Sequence, residues 1–148
     1  MCGFSGILFS TESSRDNHTP GVSGFRRAAN RIAHRGDTDH RELRLPKIWL
    51  SHYRLAFQDV ASGTQPMLSA DGRHVIVFNG EIYTFPELRE QMLARGHTFQ
   101  TRCDTEVLLY GYRQWGDGLA GKLRGMFAFA VVDGERQRLY AARDRIGK

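Results

Sequence analysis

The chain has 148 residues, 41% of them hydrophobic and 11% aromatic, which is enough for one domain with a real core and too apolar for a disordered segment. Its formal net charge of +5 comes mainly from arginines scattered along the chain (Arg26/Arg27, Arg41/Arg44, Arg136/Arg138, Arg143/Arg145), not from the clustered basic face of a nucleic-acid binder. No apolar run reaches the roughly 18–20 residues that span a bilayer, and the start lacks the features of a secretory signal. The expectation is therefore a cytoplasmic protein with neither nucleic acid nor membrane as partner.

GFSGILF, residues 3–9, is short, apolar and glycine-punctuated, as a buried strand should be. Residues 10–22 are polar and turn-rich and read as a loop. Ser23 is placed to cap a helix over residues 24–35, where Phe25, Ala28, Ala29 and Ile32 recur at helical spacing. Residues 34–46 read as loop, and residues 47–57 as a strand with Ile48, Leu50, His52 and Arg54 on one face. Asp71-Gly72 signals a turn before RHVIVFNG, a β-branched strand ending at Asn79-Gly80. Thr84-x-x-Glu87 has the spacing of a capping box for the next helix, with Gly96 as its stop. Residues 97–103 read as a strand, and a helix follows from Asp104 or Thr105 with Val107, Leu108 and Tyr112 on one side. A short helix over residues 119–125 precedes two strands, MFAFAVVD and RLYAARD, joined as a hairpin through Asp133-Gly134. Antiparallel strands with inserted helices, and no βαβα alternation, imply an α+β fold in one domain.

Several residues invite chemistry, each with a plainer reading beside it. Cys2 and Cys103 have no CxxC spacing. Cys2 is either a small buried hydrophobe or, once Met1 is removed, a nucleophile whose own α-amine, of ordinary pKa about 7.7–8.0, serves as its base. Asn79-Gly80 is either a turn or a pair of oxyanion donors. Arg54 could grip a carboxylate bidentately or cover the core with its stem. Asp104 and Glu106 at a helix start are first of all capping residues. His34, Asp37, Asp39 and His40 suggest a metal, but without helical HExxH spacing or cysteine support no metal is expected.

In this order, MCGFSGI, AHRGD, SHYRLAF, the QPM of residues 64–68, VFNGEIY, GHTFQTRCDTEVLL, LRGMFAFAVVD and AARDRIGK resemble the glutaminase domain of glutamine-hydrolysing asparagine synthetases. These are class II glutamine amidotransferases, N-terminal-nucleophile hydrolases with an αββα sandwich. The resemblance covers essentially the whole chain. It implies that Cys2 attacks the side-chain amide of glutamine and that Asn79 and Gly80 hold the oxyanion. It places Arg54 and Leu55 at the substrate, with Arg54 on its α-carboxylate, and Glu81 and Asp104 opposite its α-ammonium. Such a zwitterion needs a cation and one or two anions, and both are present. No cofactor is implied for the glutaminase step; ATP and Mg are implied only for an absent synthetase domain. The implied partners are glutamine and an ammonia-accepting synthetase domain or subunit, with a homodimer possible. Three departures stand out. HRGPD appears as His34-Arg35-Gly36-Asp37-Thr38-Asp39, and loss of the proline is expected to loosen that loop. RLAIID appears as Arg54 to Asp59 with changed neighbours, and NGEIYN ends in Thr84. The stop at DRIGK implies a glutaminase domain of residues 1–148 truncated at its C-terminus. A non-catalytic remnant or interaction module, or a related amidotransferase with another acceptor, stays open as an alternative.

Overall fold

The computed structural model describes residues 2–9, 22–56 and 63–147. It divides into two compact units, Met1–Ala56 and Phe57–Lys148. Residues 10–21 of the loop expected at 10–22, the departures at Phe57–Asp59 and the question of Met1 lie outside the described residues, and residue 22 already belongs to a helix.

The first unit is a three-stranded antiparallel sheet of β1 (Gly3–Leu8), β2 (Asp39–Leu45) and β3 (Ile48–Arg54), in the order β1-β3-β2. Helix α1 (Val22–Asn30) lays Phe25 and Ala29 on Trp49, with Ile7 and Phe9 at the margin. The helix expected to run to residue 35 stops at Asn30, and Ala33–Arg35 form a separate 3₁₀ turn. Ser23 lies inside α1 and so is not its cap. Central β3 is buried at all seven positions, so its burial does not alternate even though its side chains do. Strand β2, within the stretch expected to be loop, is the main correction in this half. Its charged residues suit an outer strand, where side chains reach solvent while the backbone pairs with β3.

The second unit is a four-stranded antiparallel sheet of β4 (Met67–Leu68), β5 (His74–Ile82), β6 (Gly125–Asp133) and β7 (Arg138–Arg143), in that order. Helices α2 (Phe85–Leu93) and α3 (Asp104–Trp115), with a 3₁₀ segment at Gly116–Lys122, cover one face. Ile76, Phe78 and Ile82 of β5 and Phe127, Phe129 and Val131 of β6 meet Leu88, Met92, Val107, Leu108 and Tyr112 in its core. The β6–β7 hairpin turns at Asp133, whose carboxylate accepts the N–H groups of Glu135 and Arg136.

Strand β5 runs on to Ile82, so Asn79 and Gly80 sit inside it and not past its end. The capping box does not form: Thr84 makes no side-chain bond to its helix, and its hydroxyl instead accepts the Arg124 N–H. Gly96 does stop α2, at φ 84°, in the left-handed region. Residues 97–103 form no strand, because buried Glu106 takes their donors. Its carboxylate accepts the Gln100 N–H at 2.9 Å, the Thr101 N–H at 2.7 Å and the Thr101 hydroxyl at 2.6 Å. That arrangement anchors the chain as it enters α3. Glu106→Ala is expected to lower the unfolding free energy by roughly 2–3 kcal/mol in urea titration, since it strands these donors. A loss below about 0.5 kcal/mol, the range of an ordinary surface substitution, would show that the anchor lies elsewhere.

Candidate active site

In the first unit the pairing of Gly3 with Tyr53 sets everything near Cys2. One step further along that register, Cys2 lies beside the end of β3. Its Sγ accepts the Leu55 N–H at 3.3 Å and lies 3.6 Å from the Leu55 carbonyl, to which the thiol donates. Arg35 donates its Nε–H to the Cys2 carbonyl at 2.9 Å. The thiol is thus held through backbone on one side, and its own peptide group is held by a guanidinium on the other. Arg35 stands in the AHRGD motif, for which the resemblance implies no role of its own. Its bond spans 33 residues of sequence, so no local pattern reveals it.

The loop carrying Arg35 is firmly placed despite lacking the proline. Thr38 donates its N–H to the Arg54 carbonyl at 3.0 Å, and its hydroxyl accepts the Ala56 N–H at 3.2 Å. Gly36 lies against the Tyr53–Arg54 backbone so closely that a Cβ would fall 2.6 Å from it. Hydrogen bonds and this close backbone approach tie the loop to the end of β3. His34, Arg35, Gly36, Asp37 and Leu55 line a cleft of about 410 Å³. Arg54 is buried at the last position of β3. The four acids and histidines of the HRGDTDH stretch are otherwise engaged in part: His40 bonds Ser51 and stacks on Tyr53, and Asp39 pairs with Arg41. Among the described residues no cluster of three or more His, Cys, Asp or Glu could hold a metal.

The second unit holds Asn79, Gly80, Glu81 and Asp104. Strand alternation points the N–H groups of Phe78, Gly80 and Ile82 at one edge of β5. The outer two meet side-chain acceptors, Gln65 Oε1 at 2.6 Å and Asp104 Oδ2 at 3.2 Å. Gly80 lies between them at φ 144°, a conformation closed to other residues, and a Cβ there would strike the Met126 carbonyl. The Asn79 side chain has a buried oxygen without a hydrogen-bond partner among the described residues.

Asp104 is 6% exposed and takes part in no ion pair among the described residues. Burial is the main force on it, and the charge of nearby Glu81 adds to burial. Against both, the N–H groups of Ile82 and of its own helix start favour the charge. The balance pushes its pKa up to about 6. Two carboxylates near one another, one poorly solvated, make a place where a cationic group is favoured. Cys103, next in sequence, is buried, and burial pushes its thiol up, as suits a packing residue.

A model of the glutamine amidotransferase domain matches residues 1–148. The chain belongs to the glutamine amidotransferase domain family. The amidotransferase chain is 37% identical over 150 residues to asparagine synthetase [glutamine-hydrolyzing] 3 of Bacillus subtilis (strain 168), covering 99% of this chain and 24% of that relative. It is 42% identical over 120 residues to a probable asparagine synthetase [glutamine-hydrolyzing] of Schizosaccharomyces pombe, covering 80% of this chain and 21% of the other. It therefore spans about a quarter of the length of the curated relatives it matches. Among solved structures it resembles the glutamine phosphoribosylpyrophosphate amidotransferase of B. subtilis, with a TM-score of 0.56 and 25% identity over 68% of this chain and 24% of that one. A second neighbour, the allosteric regulatory enzyme of purine biosynthesis, gives 0.54 and 26% over 66% and 23%. The fold is thus α+β, of the N-terminal-nucleophile amidotransferase type.

The elevated pKa of Asp104 has a stability consequence with a definite sign. A carboxyl raised from 3.8 to about 6 favours folding at low pH and loses that contribution as pH climbs from about 4 to about 6. Asp104→Asn, which keeps an acceptor for Ile82, is expected to be more stable than the parent at pH 8, by on the order of 2–3 kcal/mol, and equal to it at pH 4. Urea unfolding across that range checks it; a constant offset would place the cause outside the titration.

Proposed function

We propose that this domain hydrolyses glutamine to glutamate and ammonia with Cys2 as nucleophile. The observation that carries the reading is the thiol of Cys2, immediately ahead of β1, bonded to the Leu55 backbone while Arg35 holds its carbonyl. With Met1 removed, the Cys2 amine takes the thiol proton as sulfur attacks the amide carbon of the substrate. Asn79, through its side-chain NH₂, and Gly80, through its N–H, steady the oxyanion of the tetrahedral intermediate. Collapse breaks the carbon–nitrogen bond, and the ammonium of Cys2 gives its proton to the departing nitrogen, releasing ammonia and leaving a thioester. Water, deprotonated by the same amine, then attacks the thioester, and a second collapse frees glutamate and restores the thiol.

Recognition follows the charges of the substrate. Arg54 binds the α-carboxylate, with Leu55 beside it, and Glu81 and Asp104 bind the α-ammonium. The buried state of Asp104, which takes part in no ion pair among the described residues, supports this part of the reading, because an ammonium supplies a counter-charge. By similarity to the asparagine synthetases, the ammonia goes to a synthetase domain or subunit that forms asparagine from aspartate with ATP and Mg. Residues 1–148 are then the glutaminase part of that activity, which we place in the cytoplasm. Among the described residues no helix is long and apolar enough to cross a membrane.

Incubation with a glutamine-mimicking diazoketone, followed by an intact-mass spectrum, tests the nucleophile. A species without Met1 carrying one adduct is expected, and Cys2→Ala should carry none. Absence of both adduct and glutamate release would sink the proposal. Asn79→Ala should lower kcat for glutamine hydrolysis about 10²- to 10³-fold while leaving KM within a few-fold, as loss of one oxyanion donor does.

A further inference from the structure

Gln65 is 6% exposed, and both ends of its side-chain amide are bonded. Oε1 accepts the Phe78 N–H at 2.6 Å, and Nε2 donates to Thr105 Oγ1 at 3.3 Å. Those two partners flank the proposed site residues. Phe78 directly precedes Asn79 and Gly80 on β5, and Thr105 directly follows Asp104 at the start of α3.

The sheet itself leaves this span weakly held. Strand β4 pairs with β5 only through Met67 with Ile76 and Leu68 with Val75. Extending that register by two pairs brings Gln65 opposite Phe78, but no strand pairing continues past Met67. The side-chain carbonyl of Gln65 takes the place of the missing strand acceptor. Its NH₂ then reaches across to the helix, a reach that no strand backbone provides.

We propose that Gln65 is a positioning residue, whose amide fixes the strand segment carrying Asn79 and Gly80 relative to the helix start carrying Asp104. Asp104 supplies the second tie through Ile82, so residues 79–81 are stretched between two anchors. The oxyanion donors and the ammonium-binding carboxylate then keep a set spacing that matches one small substrate. This assignment rests on the glutamine-hydrolysis reading above.

Gln65→Leu removes both bonds at nearly constant volume and tests the proposal in the intact chain. Four measurements belong together: far-ultraviolet circular dichroism, the rate of Cys2 alkylation by iodoacetamide, kcat and KM for glutamine hydrolysis, and backbone amide exchange at residues 78–80 and 104–105. The expected result is a folded protein whose alkylation rate stays within about twofold. Its kcat should fall about 10- to 100-fold, the scale of an ångström-sized misplacement, and its KM should rise several-fold. Exchange should quicken at residues 78–80 and 104–105 and nowhere else. A folded variant with kinetics and exchange unchanged overturns the assignment. If the parent chain itself hydrolyses no glutamine, the functional reading fails, and exchange alone decides Gln65: a local change supports its tie, and a uniform or absent change refutes it. Should Gln65→Leu not fold, Thr105→Ala cuts only the helix arm. A several-fold rise in KM with kcat within twofold is then expected, and an unchanged KM overturns the proposal.

Discussion

Among the described residues, strand β5 has a strand partner along all nine residues on one side and along two on the other. Backbone N–H groups in a folded interior need acceptors, so the bare side of β5 sets the terms for the rest of this unit. Two side chains from distant parts of the chain, Gln65 and Asp104, answer for Phe78 and Ile82. The entry of α3 is fixed because Asp104 must reach that edge, and Glu106 organises residues 97–103 to let it do so. What is left on the edge is Gly80, in a backbone state only glycine adopts. A sheet edge that elsewhere would invite another strand is here partly covered by side chains of Gln65 and Asp104.

The first unit solves a different problem, that of holding Cys2 just ahead of its strand. Terminal residues fray unless something beyond their own strand ties them down. Cys2 is tied at its sulfur by Leu55 and at its carbonyl by Arg35, and the Arg35 loop is pinned in turn by Thr38. All these ties reach backbone or come from it, which leaves the neighbouring side chains free to vary. The loop thereby keeps its place with Asp37 and Thr38 after Gly36.

Elements whose signal is local were legible in the sequence: the apolar run of β5, the β6–β7 hairpin with its Asp-Gly turn, and the amphipathic α3. The failures share a cause. Strand β2 hides behind four charged residues because its pairing, not its composition, makes it a strand. Residues 97–103 look like a strand until one carboxylate from the next helix takes their donors. Thr84 has the spacing of a capping box, yet its hydroxyl goes to Arg124, 40 residues away. The residues proposed for the site were readable only through the order of motifs that the chain shares with a known family, since taken singly each had a plainer structural reading. Arg35 and Gln65 stand in quoted motifs, but their parts depend on partners 33 and 13 residues distant for their strongest bonds, which spacing alone does not reveal.

Asp104 carries a final consequence. A carboxyl that gives up its proton only near pH 6 is largely neutral in mildly acidic solution. Any cation that settles against it must then displace a hydrogen ion into the solvent, so occupancy and acidity become a single equilibrium. Below that pH each further unit of acidity weakens the cation's hold about tenfold, and the heat of association depends on which buffer catches the released proton. Under the proposed reading, the carboxyl that would hold the substrate ammonium also makes that hold follow the acidity of the surroundings.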